Sequence, residues 1–145
     1  MDDNTLREFS DFRYEPVQDL WVVTAYYNPC NYHRRRYNFD IFSYTLKQSG
    51  IPFLTIECTF GNQPFTLPES TDIVRVRAKS LLWQKERLLN LGISWLPKSC
   101  KYVVWSDCDI LFENRKWAKE TVRCLNNYPL VQVFEICNRL PRTNL

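Results

Sequence analysis

The sequence predicts an α/β protein with a mainly parallel, twisted sheet and helices on both faces. Apolar runs rich in β-branched and aromatic residues alternate with stretches of helical spacing. The segments between successive runs are long enough to hold a crossover helix. The runs themselves, such as "LWVVTAYY", are apolar almost throughout, as strands covered on both faces require. In sheets of this kind the ligand lies outside the carboxyl ends of the strands.

The first strand is residues 20 to 27, stopped by "NPCN", where Pro29 blocks extension and Asn31 is placed to cap a helix. Phe39, Phe42 and Leu46 give helical spacing from about Arg34 to Ser49, and Gly50 followed by Pro52 is a stop signal. "PFLTIECTF" is the second strand. A turn-rich stretch with Gly61, Asn62, Pro64 and Pro68 leads to a short strand, "DIVRVRA", at 72–78, and then to a helix over "SLLWQKERLLNLGI". The strand "KYVVW" follows, then a helix around Arg115 to Asn126 and a last strand, "LVQVFEI", at 130–136. One domain spans 1–145, with irregular ends at 1–18 and 138–145.

Bulk properties narrow the function. A chain of 145 residues with 45% hydrophobic and 15% aromatic content can bury a core, so disorder is excluded. The net charge of +3 is too small to imply nucleic acid and favours a small anionic ligand. No run approaches the length of a membrane span, and "MDDNTLREFSDF" lacks the basic and apolar regions of a signal peptide, so the expectation is a cytoplasmic protein. The cysteines at 30, 58, 100, 108, 124 and 137 are scattered singly with one histidine, which reads as free thiols, buried at Cys58, Cys124 and Cys137, and argues against structural zinc.

Four positions converge on the expected ligand edge: Ala25 to Asn28, Glu57, Arg77, and Asp107 to Asp109. The aspartates of "YVVWSDCDILFEN" interrupt a segment that otherwise favours burial. On an extended backbone Asp107 and Asp109 point to one side and Cys108 to the other. Two adjacent like charges need neutralising, and Mg²⁺ or Mn²⁺ with oxygen ligands would do so while keeping positions open for a diphosphate. A solvated turn is the alternative for any lone D-x-D.

Lys85 is a second signal. Turning each residue through 100° and setting Leu88 at zero puts Leu81, Leu89 and Leu82 at about +20°, +100° and +120°, with Lys85 inside that stripe at about +60°. Its ammonium either snorkels along the core or reaches phosphates or the Asp107/Asp109 cluster. The run His33-Arg34-Arg35-Arg36 opposes the dipole of the helix it begins, which an anionic ligand in that turn would offset; a solvated basic face is preferred for Arg34 and Arg35, and Arg36 is open. His33 reads as a surface residue. Trp83, Trp95, Trp105 and Trp117 read as core fillers, whereas Tyr26 or Tyr27 is placed to stack on a base, with core packing expected for at least one of them. There is no glycine-rich phosphate loop.

The stretches "WVVTAYYNP", "LLWQKERLLNLGISWLP", "YVVWSDCDILFEN" and "LVQVF" together resemble nucleotide-sugar-dependent glycosyltransferases of the GT-A fold. The resemblance implies a Rossmann-like donor half in which Thr24, Ala25, Tyr26, Tyr27 and Asn28, with Glu57, approach the nucleotide. It implies that Asp107 and Asp109 hold a divalent ion, Mn²⁺ or Mg²⁺, against the diphosphate, and that Lys85 faces the site. Asp109 and Lys85 are the residues expected to act in catalysis, by electrostatic stabilisation of the leaving diphosphate as the sugar passes to an acceptor hydroxyl. A carboxylate base is also required if the reaction inverts, and Glu113 and Glu135 are candidates.

Members of that family usually continue into an acceptor half, whereas this chain ends at "NRLPRTNL" soon after the expected fifth strand, so that half is expected to be missing, shortened or supplied by another chain. The acceptor is a glycan, a lipid or a protein. A non-catalytic nucleotide-sugar-binding or interaction domain is the rival reading. A D-x-D phosphatase is a weaker one, because its motif closes a first strand and here it follows the fourth.

Overall fold

The computed structural model describes residues 12–82 and 84–139. Four strands form one sheet: β1 (Leu20–Tyr27), β2 (Phe53–Phe60), β3 (Ile73–Ala78) and β4 (Tyr102–Ser106). Their order is β3-β2-β1-β4 and every pairing is parallel. Among the described residues there are three helices: α1 (His33–Gln48) between β1 and β2, α2 (Lys85–Ser94) between β3 and β4, and α3 (Trp117–Leu125) after β4. The α/β class and the parallel sheet are as expected.

Strand alternation sorts the core into two layers. Leu20 and Val22 of β1, Phe53 and Val104 pack with Phe42 and Leu46 of α1 and with Trp117 and Ala118 of α3. Ala25, Tyr27, Leu54, Ile56 and Cys58 point the other way and pack with Leu88 of α2. Helices thus cover both faces. α2 lies so close to the sheet that a Cβ on Gly92 would sit 2.6 Å from Val23 Cγ1. Tyr14, in the irregular segment before β1, closes the first layer with its ring edge-on to Phe112 and Trp117.

The ends of α1 have clear local causes. Asn28 Oδ1 accepts the N–H of Tyr32 at 2.9 Å, so Asn28 holds the turn into the helix; Asn31, expected to cap, instead takes a left-handed conformation with φ of 51°. At the other end Gly50, with φ of +64°, donates to Lys47 O while Ile51 donates to Leu46 O, which satisfies two terminal carbonyls.

Three expectations are corrected. The helix after β3 begins at Lys85 rather than Ser80, and Leu81 and Leu82 lie outside it and are exposed. Helix forms only where apolar side chains meet the sheet, and those begin at Leu88. Residues 130–136 form no strand: Leu130 and Ile136 are exposed and no neighbouring strand supplies a ladder, although Val133 packs on the first core layer. The six thiols are free, but Cys124 is half-buried and Cys137 exposed. Trp95 and Trp105 are exposed as well, Trp117 is core, and Trp83 lies outside the described residues.

Candidate functional site

The strand order has a reversal: β1 leads outward to β2 and β3, and the chain then returns to place β4 on the other side of β1. Connections diverge there, and in sheets of this kind such a divergence is where a ligand-binding crevice lies, here beyond the carboxyl ends of β1 and β4. Asp107 follows directly on β4 and Asn28 directly on β1. The first residues of α1 and α2 reach the same edge from opposite faces of the sheet.

β4 ends at Ser106, and Cys108 and Asp109 sit in a turn rather than on extended backbone. Asp107 projects to the α2 side, where Lys85 Nζ forms an ion pair with Asp107 Oδ1. Cys108 packs to the α1 side beside Tyr26, Phe39 and Leu67. Its thiol is pushed up to about 12, first by burial and then by the charge of Asp109, with Arg35 acting in the opposite direction. Asp109 is exposed, and its carboxylate has no hydrogen bond or ion pair to a described residue.

Arg35, preferred as part of a solvated face, is tied down: Nη1 donates to Tyr27 O at the end of β1. Its charge is felt at Cys108, so α1 brings a guanidinium to the crevice from one face while α2 brings an ammonium from the other. The clue available in the sequence was the cationic first turn of α1, which has no acidic residue to relieve it. Arg36 has a structural role, with Nε on Asp40 at 2.8 Å and Nη1 donating to Thr66 O at 2.5 Å. His33 and Arg34 are exposed.

The residues of β1 expected to approach a nucleotide are mostly consumed by the fold. Thr24 is fully buried and its Oγ1 donates to Ser106 O at 2.8 Å, which joins β1 to β4. Ala25 is packed under α2, and both Tyr26 and Tyr27 are core. Tyr26 meets Phe39 edge-on, and burial raises the phenol pKa of Tyr27. Neither ring is presented for stacking. Asn28 remains half-buried at the mouth of the crevice, bonded to Tyr26 and Tyr32.

Glu57 is 2% exposed and acts on the protein itself. Its Oε1 accepts from Thr66 N at 2.5 Å, Thr66 Oγ1 at 3.2 Å and Leu67 N at 2.9 Å. Oε2 lies 3.6 Å from Arg75 Nε, so the carboxylate is charge-compensated. It closes the 61–68 loop over the end of β2. Arg77 does similar work from β3, donating to Gly61 O and Gln63 O at 2.6 and 2.7 Å, and Phe65 is held between Arg75 and Arg77. Next to Glu57 lies a cavity of about 160 Å³ lined by Tyr26, Asn28, Asn31, Thr59, Gln63 and Thr66.

Among the described residues no group of three or more His, Cys, Asp or Glu is arranged to hold a metal. Two exposed carboxylates still fit a Mg²⁺-type ion, which is commonly held by one or two carboxylates with water and phosphate oxygens completing its shell. With Lys85 on Asp107 Oδ1, Asp109 is the freer ligand of the two. Glu113 and Glu135 are both exposed, and neither forms a hydrogen bond or ion pair with this cluster among the described residues. No helix among the described residues is long and apolar enough to cross a membrane. Comparison with protein-family models, with curated proteins and with solved structures gave no match.

Proposed function

We propose that the crevice between β1 and β4 binds the diphosphate of a nucleotide sugar, and that the protein acts as a glycosyltransferase with the GT-A type of donor site. The observation that carries this reading is the Lys85–Asp107 ion pair next to exposed Asp109 at the point where the strand order reverses, with Arg35 bonded to the end of the neighbouring β1. Two cations from opposite faces suit a ligand with several anionic oxygens. Two carboxylates in the same place suit a divalent ion that bridges them to those oxygens.

Asp109, with Asp107 assisting, would hold that ion, which neutralises charge on the leaving diphosphate. Lys85 has two tasks in this scheme. It orients Asp107 before ligand arrives, and it offers an ammonium to the phosphates once they do. Arg35 fixes the end of β1 and adds positive potential. In the transfer the bond from the anomeric carbon to the diphosphate oxygen breaks, a bond to the acceptor oxygen forms, and the acceptor proton leaves to a base. Donor binding without turnover is the other outcome of the same site.

Thermal unfolding in the presence of uridine and guanosine diphosphate sugars, with Mn²⁺ or with EDTA, tests the reading. Ligand at 100 times its dissociation constant adds about 2.7 kcal/mol of stability. The expected result is a raised midpoint with one nucleotide and Mn²⁺, and none with EDTA. An unchanged midpoint across all donors, from a chain that unfolds cooperatively, contradicts the proposal.

A further inference from the structure

Among the described residues β4 is an edge strand, paired with β1 alone. The direction of its free backbone groups follows from β1. Val22 N–H donates to Pro52 O, so even-numbered residues of β1 aim their backbone groups at β2 and odd-numbered ones aim at β4. Trp21 and Val23 stand opposite Val103 and Trp105, and in a parallel ladder they therefore bond to the flanking residues Tyr102, Val104 and Ser106. The Tyr102 N–H donating to Asp19 O agrees with this parity. The N–H and C=O groups of Val103 and Trp105 consequently point outward, and among the described residues no backbone hydrogen bond reaches them.

The side chains on that edge are open to solvent, although Lys101 Nζ pairs with Asp19 Oδ2 at 3.3 Å and Asp107 pairs with Lys85. α2 contacts β1 and β2, which leaves Trp105 63% exposed on the α2 side of β4. Lys101 and Asp107 flank it on the same side by strand alternation, with side chains 70% and 55% exposed. A five-residue open edge with an uncovered aromatic residue is a template for another strand.

We propose that the β4 edge pairs with the β4 edge of a second copy of this chain, antiparallel, about a two-fold axis through Val104. In that register Val103 and Trp105 of one copy exchange both backbone hydrogen bonds with Trp105 and Val103 of the other, using the groups left free by β1. Their side chains meet across the strands, and Lys101 of each copy faces Asp107 of the other. Moving the axis to Val103 or to Trp105 keeps the backbone pairing but sets Lys101 against Trp105, or Asp107 against Val103. Charge and apolar complementarity together select the axis at Val104. The contact is isologous and closes as a dimer with one continuous sheet. Each copy also brings a lysine to the other's Asp107, beside Lys85.

The proposal does not rest on the donor reading. Sedimentation of the full chain over a range of about 1 to 100 µM tests it by mass action. The expected mass rises with concentration from 17.4 kDa to twice that value. Lys101→Glu, a surface change outside the β1 ladder, is expected to weaken the dimer at least about tenfold by setting like charges opposite each other. Val103→Pro removes an N–H that β1 does not use and is expected to abolish the dimer without disturbing far-ultraviolet circular dichroism. A wild-type chain that stays at 17.4 kDa throughout, or a dimer that Lys101→Glu leaves unchanged, overturns the proposal.

Discussion

Glu57 and the Asp107/Asp109 pair lie at the same edge of the same sheet, yet the protein uses them in opposite ways. Glu57 is buried, accepts two backbone N–H groups and a hydroxyl, and faces Arg75. The aspartates are exposed, one paired with Lys85 and the other without a hydrogen-bond or ion-pair partner among the described residues. A buried carboxylate with one oxygen spent on its own chain and the other held against Arg75 is committed to the fold, whereas one held open at a strand end can meet a ligand. Position along the strand did not distinguish them; burial and partners do.

The largest effect expected from this contrast comes from Glu57→Ala. It leaves the N–H groups of Thr66 and Leu67 without their acceptor and Arg75 without its buried counter-charge, so folding stability is expected to fall by about 3 kcal/mol. Urea unfolding measures this, and a loss under about 1 kcal/mol would mean that Glu57 is not a structural carboxylate. Asp107→Asn, by contrast, is expected to stay within about 0.5 kcal/mol of the parent, because the pair it breaks is largely exposed.

Next in size is Gly92→Ala. A methyl group there meets Val23 Cγ1 at 2.6 Å and Ile56 at 3.1 Å, so α2 must lift from the sheet. A loss of about 1–3 kcal/mol is expected. Since Lys85 begins α2, donor affinity should fall together with stability; a destabilised variant with undiminished affinity would separate Lys85 from the site.

Smaller effects come from the thiols. Burial holds the Cys58 and Cys108 pKa values above the ordinary 9.0, Cys108 at about 12. The folded chain therefore keeps these protons where the unfolded chain loses them. Their contribution is fully present below about pH 9 and declines as the pH rises through the folded values. In the native protein at pH 8, iodoacetamide is expected to modify exposed Cys30 well before Cys58 or Cys108, as peptide mapping would show. Equal rates at the three would contradict the burial described. The smallest change expected is for Arg34→Ala, whose side chain is exposed and forms no hydrogen bond or ion pair with a described residue; donor affinity should move less than about twofold.

Much of the fold was legible because strand and helix signals agreed over the long elements. β1 has the limits expected, and α1, β2, β3 and β4 fall within a residue or so of them. Gly50 marked the end of α1 because only a residue tolerant of positive φ completes that cap. The failures share a cause. Leu81 and Leu82 have helical spacing, and 130–136 has the composition of a strand, but both need a tertiary partner that local pattern does not specify.

At the site, the D-x-D and Lys85 were legible from chemistry, a charge in an apolar context. The reason given for Lys85 was wrong in detail: Leu81 and Leu82 are not in its helix, so it opens α2 instead of lying in an apolar stripe. Thr24, Tyr26, Tyr27 and Glu57 lie toward the carboxyl ends of β1 and β2, where the sequence assigns them to a nucleotide, but the direction in which each side chain points is not readable from the sequence. Arg35 was passed over because its bond to Tyr27 O depends on where the chain turns at Pro29.

The central claim is metal-dependent binding of a nucleotide diphosphate through Asp109. Calorimetric titration of the full chain and of Asp109→Asn with UDP and with GDP, each in Mn²⁺ and in EDTA, tests it most directly. The account predicts binding of one nucleotide by the parent in Mn²⁺ only, and at least a tenfold loss, about 1.4 kcal/mol, in the variant. Equal affinity of parent and variant in Mn²⁺, or no binding of either nucleotide by the folded parent, would contradict it.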